Sequence, residues 1–121
     1  MFLQSTANRD LVDHFVALAN PTRLRMLEHL SAKGEMSVNE LATKLHMSQP
    51  RISWHLRILR TGGVIRTRRD GRLRYCSLDM DSISARHGEL NRLLIAAAPP
   101  AAATQQFQSE ADEPALIEVR Q

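Results

Sequence analysis

Residues 36–63 read MSVNELATKLHMSQPRISWHLRILRTGG, and this stretch contains the start signals of two successive helices. Ser37 and Glu40 have the spacing of a capping box. In that arrangement the serine hydroxyl accepts a hydrogen bond from the glutamate amide, and the glutamate carboxylate accepts one from the serine amide. The first helix of the stretch is therefore predicted to be short, over Val38–Leu45.

The second helix of the stretch has equally clear ends. Ser48 is an N-cap residue, and Pro50 falls in the first turn, where no internal amide hydrogen bond is lost. The helix is predicted to run to Thr61, before Gly62 and Gly63 end it. Two short helices joined by a tight turn are the spacing of a helix-turn-helix motif.

This second helix has an apolar stripe on one side and exposed aromatic and basic residues on the other. Ile52, Leu56 and Leu59 recur at helical spacing and are predicted to be buried. A tryptophan and two arginines that point away from this stripe indicate a surface that contacts another molecule. The outward side carries Pro50, Arg51, Trp54, Arg57, Ile58 and Thr61, and the stripe is flanked by Ser53 and His55.

Two helices are predicted before the motif. Apolar residues recur at helical spacing over Arg9–Ala19, which predicts the first helix. Asn20 is a good N-cap and Pro21 suits a first helical turn, so the second helix starts there and ends at Gly34. The side chains expected to face inward from the second helix are Leu24, Leu27 and Leu30.

After the motif the pattern changes to that of a β-hairpin over Val64–Leu78. Asp70-Gly71 is predicted to form a two-residue type I′ turn. The hairpin then has an apolar base and a positively charged tip. The residues expected to share the inner face are Ile65, Cys76 and Leu78. The arginines of the hairpin are Arg66, Arg68, Arg69, Arg72 and Arg74, with Arg69 and Arg72 at the tip.

A fifth helix is predicted over about Met80 to Ala98, ended by the Pro99-Pro100 pair. The following residues, 99–121, are rich in alanine, glutamine and acids and are predicted to form a flexible tail. Residues 1–98 are predicted to be one domain. The apolar stripe of the fifth helix comprises Ile83, Leu90, Leu94 and Ala97.

The composition favours a mainly α-helical protein. Hydrophobic residues make up 43% of the 121 residues and aromatic residues only 4%, which disfavours an all-β sandwich. A single cysteine excludes an internal disulfide, and no apolar stretch approaches the roughly 20 residues that span a membrane. A cytoplasmic location without membrane contact is expected. No nucleophile triad, carboxylate pair, phosphate-binding loop or metal cluster has coherent spacing, so no catalytic residue is predicted.

The positive charge of the chain is concentrated in the motif and the hairpin. Between Ser48 and Cys76 there are eight arginines against one acid, a net charge of +7, whereas the whole chain carries +3. Such a field usually meets a polyanion, and the alternative is a solvated arginine-rich surface. The order of helices followed by a basic hairpin predicts a winged helix-turn-helix, whose second motif helix enters the major groove of double-stranded DNA.

The chain resembles the ArsR/SmtB family of small prokaryotic transcriptional repressors. The resemblance lies in ALANPTRLRMLEHL at 17–30 and in the segment 40–79, and it covers roughly 85 of the 121 residues. It implies a homodimer that packs through the first and last helices and binds a palindromic operator. The residues expected at that dimer interface are Leu11, Phe15, Leu18, Ile83, Leu90 and Leu94.

The departures from the family concern its metal sites. Members that sense arsenic, cadmium or lead commonly carry Cys-x-Cys in the third helix, where this chain has Ser37 and Asn39. Thiolates are the ligands that such soft ions need, so that site is missing. Members that sense zinc or nickel place Asp and His on the last helix. The approximately matching positions here hold Met80, Ser82, Leu93 and Ala96. No metal and no cofactor is predicted.

The resulting hypothesis is a homodimeric repressor that binds a pseudo-palindromic operator. The DNA-contacting residues expected on the recognition helix are Ser48, Gln49, Pro50, Arg51, Ser53, Trp54, His55 and Arg57. Two alternatives stay open: a non-specific architectural DNA-binding protein, and a protein-interaction module anchored by Trp54. The effector is also open, whether a small molecule, a redox change or a protein. Cys76 is expected to pack at the base of the hairpin, and His87 to be structural.

Overall fold

The computed structural model describes residues 6–97, which form five helices and one antiparallel sheet. The elements are α1 (Thr6–Leu18), α2 (Pro21–Lys33), β1 (Glu35–Ser37), α3 (Val38–Leu45), α4 (Gln49–Thr61), β2 (Ile65–Asp70), β3 (Leu73–Leu78) and α5 (Met80–Ala97). The described residues divide into two units, the first ending at His87 and the second beginning at Gly88. Of the second unit only residues 88–97, the C-terminal part of α5, are described. The predicted tail and its boundary at residue 98 lie outside the described residues.

The helix starts that were predicted from capping residues are confirmed. Asn20 accepts a hydrogen bond from the Arg23 amide at 3.0 Å, and Ser48 accepts one from the Arg51 amide at 3.3 Å. Both hydrogen bonds of the capping box before α3 form, at 3.1 Å and 2.9 Å. Because these bonds satisfy amides that lack a partner inside the helix, the local sequence decides where each helix begins.

The core is built from aliphatic and methionine side chains, and one predicted member is wrong. Leu30 and the α4 stripe are buried as expected, but Leu24 is 48% exposed and Met26 is buried in its place. Leu27 is partly buried against the same core. The buried face of α2 therefore differs from the predicted face of Leu24, Leu27 and Leu30, because Arg23 and Met26 both point into the core.

The sheet has three strands in the order β1-β3-β2, whereas only the hairpin was predicted. The added strand, β1, pairs antiparallel with β3 and places Met36 opposite Cys76. Both side chains are 1% exposed, and the Cys76 thiol lies 3.4 Å from the Met36 carbonyl oxygen. The element order nonetheless confirms a winged helix-turn-helix, with the wing formed by β2 and β3.

The turn of the wing differs by one residue from the prediction. Asp70 pairs with Leu73, so the two central residues are Gly71 and Arg72 rather than Asp70 and Gly71. Gly71 has a φ of 64° and Arg72 does not have a positive φ, which is the pattern of a type II′ turn. The resulting shift of register is two residues, so the inner face of Ile65, Cys76 and Leu78 is unchanged.

Candidate nucleic-acid interface

The outward side of α4 is a basic surface centred on a tryptophan. Trp54 is 51% exposed, and Arg51 and Arg57 on either side of it are also exposed, as predicted. Helix α4 contains no acidic residue, so nothing on the helix itself neutralises this surface. Ile58 was predicted on this side but is half-buried and packs against the core.

The first turn of α4 lies on the same exposed surface. Ser48, Gln49 and Pro50 are all exposed, and the Ser48 hydroxyl accepts from the Arg51 amide. The position at a helix N-terminus favours an anionic partner, since the helix dipole is positive there. The three residues remain predicted DNA contacts.

His55 is a correction to the predicted interface, because it is only 4% exposed and faces the protein interior. Its Nδ1 lies 3.2 Å from an Nη1 of Arg23, which is 6% exposed. Arg23 also donates to the Ala17 carbonyl at 2.7 Å and to the Val16 carbonyl at 3.3 Å. Since the guanidinium can only donate, His55 accepts at Nδ1 and is neutral. Arg23 thereby joins the C-terminal carbonyls of α1 to α4.

A second connection joins α1 to the C-terminal end of α4. His14 is fully buried, and its Nδ1 donates to the Gly62 carbonyl at 2.8 Å. A Cβ atom at Gly62 would lie 2.8 Å from both the Ala17 Cβ and the Asp13 carbonyl oxygen. Gly62 is therefore required by the close approach of the two helices, since its φ of −80° is available to any residue.

These two histidines predict that stability falls in mild acid. Burial lowers the pKa of His14 and of His55 below the ordinary value of 6.5, and the charge of Arg23 lowers that of His55 further. Between the folded and unfolded pKa values the unfolded chain binds more protons, so the free energy of unfolding decreases as pH falls below about 6.5. Thermal unfolding from pH 7.5 to 5.5 should show a falling midpoint.

The control for this pH dependence is an exposed histidine. His55→Gln should weaken the dependence of the midpoint on pH, whereas His46→Asn, at an exposed left-handed position that suits asparagine, should not. Equal pH dependence in the wild type and the His55→Gln and His14→Gln variants would show that these imidazoles are not responsible.

Two of the wing arginines are paired with acids of the protein. Arg68 makes two hydrogen bonds of 2.8 Å to Glu35 and lies 4.5 Å above the ring of Tyr75. These hydrogen bonds hold the pKa of Glu35 below its usual value. Arg66 lies 3.2 Å from Asp79. Both arginines are on the outer face of the wing and are partly neutralised there, so they are weaker candidates for DNA contact than the others.

The remaining wing arginines have no acidic partner among the described residues. Arg74 donates to the Ser53 hydroxyl at 3.1 Å, which joins the wing to α4. Arg69 and Arg72 are exposed at or beside the turn. Arg60 on α4 and Thr67 on β2, which line a small cleft between α4 and the wing, were not predicted as site residues. The spacing of Arg60 three residues after Arg57 and seven after Ser53 was the available signal.

The apolar residues predicted at a dimer interface fall into three groups. Leu18 and Ile83 pack against the core of this protomer, whereas Leu11 and Phe15 are half-buried and line an open apolar groove of about 440 Å³ on α1. Two large side chains of that groove are exposed, Val12 and Val16, at 60% and 55%. In α5, Leu90 is half-buried and Leu94 is 56% exposed.

Ser37 and Asn39 stand where metal-sensing members of the family are expected to carry thiolates. Ser37 is buried and its hydroxyl is engaged in the capping box, and Asn39 is exposed. Among residues 6–97 no three His, Cys, Asp or Glu side chains come together as ligands. Cys76 is buried as predicted, and burial raises the pKa of its thiol to about 11, which disfavours the reactive thiolate. No helix within the described range is long and apolar enough to cross a membrane.

Comparison with known proteins gives matches along most of the described chain. The model of the bacterial regulatory proteins of the arsR family matches residues 20–67. The HTH-type transcriptional regulator Rv2034 of Mycobacterium tuberculosis is 38% identical over 76 residues, which are 63% of this chain and 70% of that protein. Four further curated relatives match over 50 to 64% of their own lengths.

Solved structures agree with this match. The crystal structure of the ArsR family transcriptional regulator RHA00566 has a TM-score of 0.61 and 35% identity, over 71% of this chain and 88% of that one. The homodimeric winged helix-turn-helix DNA-binding domain Mb0332 of Mycobacterium bovis has a TM-score of 0.59 and 29% identity, over 78% and 90% of the two chains. Rv2034 and RHA00566 are both transcriptional regulators. The chain therefore belongs to the arsR family of bacterial regulatory proteins.

Proposed function

We propose that this protein is a homodimeric, sequence-specific regulator of transcription that binds double-stranded DNA and represses a pseudo-palindromic operator. The observation that carries the proposal is the exposed surface of Arg51, Trp54 and Arg57 on a helix without acids. Helix α4 enters the major groove, where arginine recognises guanine edges, and the wing lies along the backbone. The two half-sites are about 10 bp apart, or a multiple of this.

The dimer is supported by the apolar groove on α1 and by the homodimeric state of the related domain Mb0332. A symmetric dimer presents two copies of α4, which explains an operator with two-fold symmetry. Regulation is proposed to be independent of the family's thiolate and α5 metal sites, because the residues at those positions offer neither thiolate nor imidazole. Stoichiometric zinc in the purified protein would contradict this part.

The experiment that tests the proposal is selection of bound duplexes from a random-sequence library. We expect an enriched palindrome, bound at least about a thousandfold more tightly than bulk DNA at physiological salt. Tight binding without an enriched sequence would instead identify an architectural DNA-binding protein. Loss of a protein complex but not of DNA binding on replacing Trp54 would identify an interaction module.

Base reading and backbone binding should separate by mutation. Arg51→Ala is expected to cost about 1 to 3 kcal/mol on the selected sequence and to relax the preference at one base pair of each half-site. Arg69→Gln or Arg72→Gln should weaken binding to all sequences alike and make the salt dependence shallower by about one for each phosphate that is no longer bound. Competition titrations on selected and scrambled duplexes measure both. The assignment fails if the wing variants change specificity and Arg51→Ala does not.

A further inference from the structure

A small cleft lies between the recognition helix and the wing. Its volume is about 90 Å³, and its polar lining consists of Arg57 and Arg60 from α4, Arg74 from β3, and the hydroxyls of Ser53 and Thr67. Arg74 crosses from the wing to α4 through its 3.1 Å hydrogen bond to Ser53. The polar walls of the cleft thus come from α4 and from both strands of the wing.

No acidic side chain of residues 6–97 lines this cleft. The only hydrogen bond that Arg74 makes within the described chain is to a neutral hydroxyl. By contrast, Arg66 and Arg68 on the other face of the wing each have a carboxylate partner. Within the described residues, carboxylates thus pair with Arg66 and Arg68 but not with Arg74.

The pairing of the strands adds a fourth cation beside the cleft. Arg69 lies directly opposite Arg74, and both are on the strand face that also carries Thr67. Like charges directly opposite each other in an antiparallel pair are destabilising. An anion between the wing and α4 would reverse this cost, because it would interact favourably with several guanidinium groups at once.

We propose that the cleft of Arg57, Arg60 and Arg74 binds a phosphate group of the DNA backbone. Guanidinium groups match phosphate oxygens with paired hydrogen bonds, and the two hydroxyls supply further donors. If α4 lies in the major groove and the wing follows the backbone, the strand that borders the groove passes between them. The inference rests on the proposed function for the orientation of the DNA. It assigns Arg57 to the backbone and leaves base recognition to Arg51 and Trp54.

Arg60→Gln is the sharpest test, because Arg60 is exposed and has no other assigned role. The variant should have a salt dependence of binding that is shallower by about 0.9 for each protomer on the DNA, on selected and random duplexes alike. Arg25→Gln, which removes one exposed arginine from α2, is the matched control and should leave the slope unchanged. Equal slopes for the two variants would overturn the proposal.

A second measurement locates the phosphate. Neutral methylphosphonate is introduced at one backbone position at a time in a selected 30-bp duplex. We expect one position in each half-site where the substitution weakens binding by the wild type more than binding by Arg60→Gln, which keeps Arg57 and Arg74. If no position behaves in this way, the assignment is wrong. The backbone assignment is also overturned if inorganic phosphate shifts the arginine side-chain NMR signals of the wild type but not those of Arg60→Gln, and no methylphosphonate position has an effect. That combination of results would identify a free-anion site.

The two proposals fail separately. A library that yields no enriched sequence, together with the shallower slope of Arg60→Gln on random duplexes, would contradict sequence-specific regulation and leave the phosphate cleft standing. An enriched palindrome, together with an Arg60→Gln slope equal to that of Arg25→Gln, would support the regulator and remove the cleft.

Discussion

The Arg23→Met variant is expected to lose about 3 kcal/mol of its free energy of unfolding, a large share of what a small domain possesses. The arginine is 6% exposed and donates to two carbonyl oxygens near the C-terminus of α1 and to Nδ1 of His55. Methionine preserves the apolar stem but leaves these acceptors without a donor. A buried acceptor without a partner costs about 1 to 3 kcal/mol. At the more exposed end of α1, hydrogen bonds to water offset part of this cost.

Urea unfolding followed by Trp54 fluorescence measures this loss, at one fixed protein concentration so that any dimerisation contributes equally. Arg25→Met is the matched control on the same helix, and because Arg25 is exposed its effect should stay within about 0.5 kcal/mol. Equal unfolding midpoints for the two variants would contradict the structural role of Arg23.

The partner of Arg23 on α4 allows a further check. His55→Leu added to Arg23→Met should recover part of the lost stability, since a pair of apolar side chains leaves one acceptor fewer unsatisfied. The recovery, measured as a double-mutant cycle, reports the coupling of the two residues directly. Strictly additive effects would mean that the 3.2 Å contact contributes nothing to stability.

The elements that could be predicted from sequence are those decided by neighbouring residues. Ser37 and Ser48 satisfy amides three residues away, so the start of each motif helix is a local property. The stripe of Ile52, Leu56 and Leu59 follows from helical spacing alone. The faces of the hairpin were predicted correctly although the strand register was not. The correct pairing differs by two residues, and side chains alternate between the faces with a period of two.

The features that were missed depend on residues distant in sequence. Three residues, Glu35–Ser37, become a strand only because β3, about 40 residues later, offers an edge with which to pair. Arg23 lies among helical leucines and has the pattern of a surface residue. Its burial is decided by the carbonyls at the end of α1, which no local pattern reveals. His55 was placed at the surface for the same reason, since its partner is 32 residues away.

These contacts give α1 a direct connection to the recognition helix. His14 and Arg23 join it to α4 at two places, at Gly62 just after the C-terminal end of the helix and at His55 in its middle. The opposite side of α1 carries the open apolar groove with Val12 and Val16. A second copy seated on that groove would therefore fix the position of α4 relative to its symmetry mate. Half-site spacing in the DNA then depends on packing around α1 as well as on α4 itself.

The variant Val12→Glu/Val16→Glu is accordingly expected to be a folded monomer that binds the selected palindrome at least about a hundredfold more weakly than the wild type. The two valines are 60% and 55% exposed in the single chain, so the substitutions leave its core intact. In a dimer they would bury four carboxylates without partners. Affinity falls because each half-site is then bound independently, without the gain of linked binding.

Sedimentation equilibrium measures the assembly state and circular dichroism verifies the fold. Leu24→Glu is the matched control, since Leu24 is 48% exposed on α2 and lines a different apolar groove, of about 680 Å³. It should remain dimeric and keep its DNA affinity. If Leu24→Glu dissociates the dimer and the valine variant does not, the interface uses the α2 surface. In that case the two connections from α1 to α4 would stabilise a single protomer only and could not set the spacing between recognition helices.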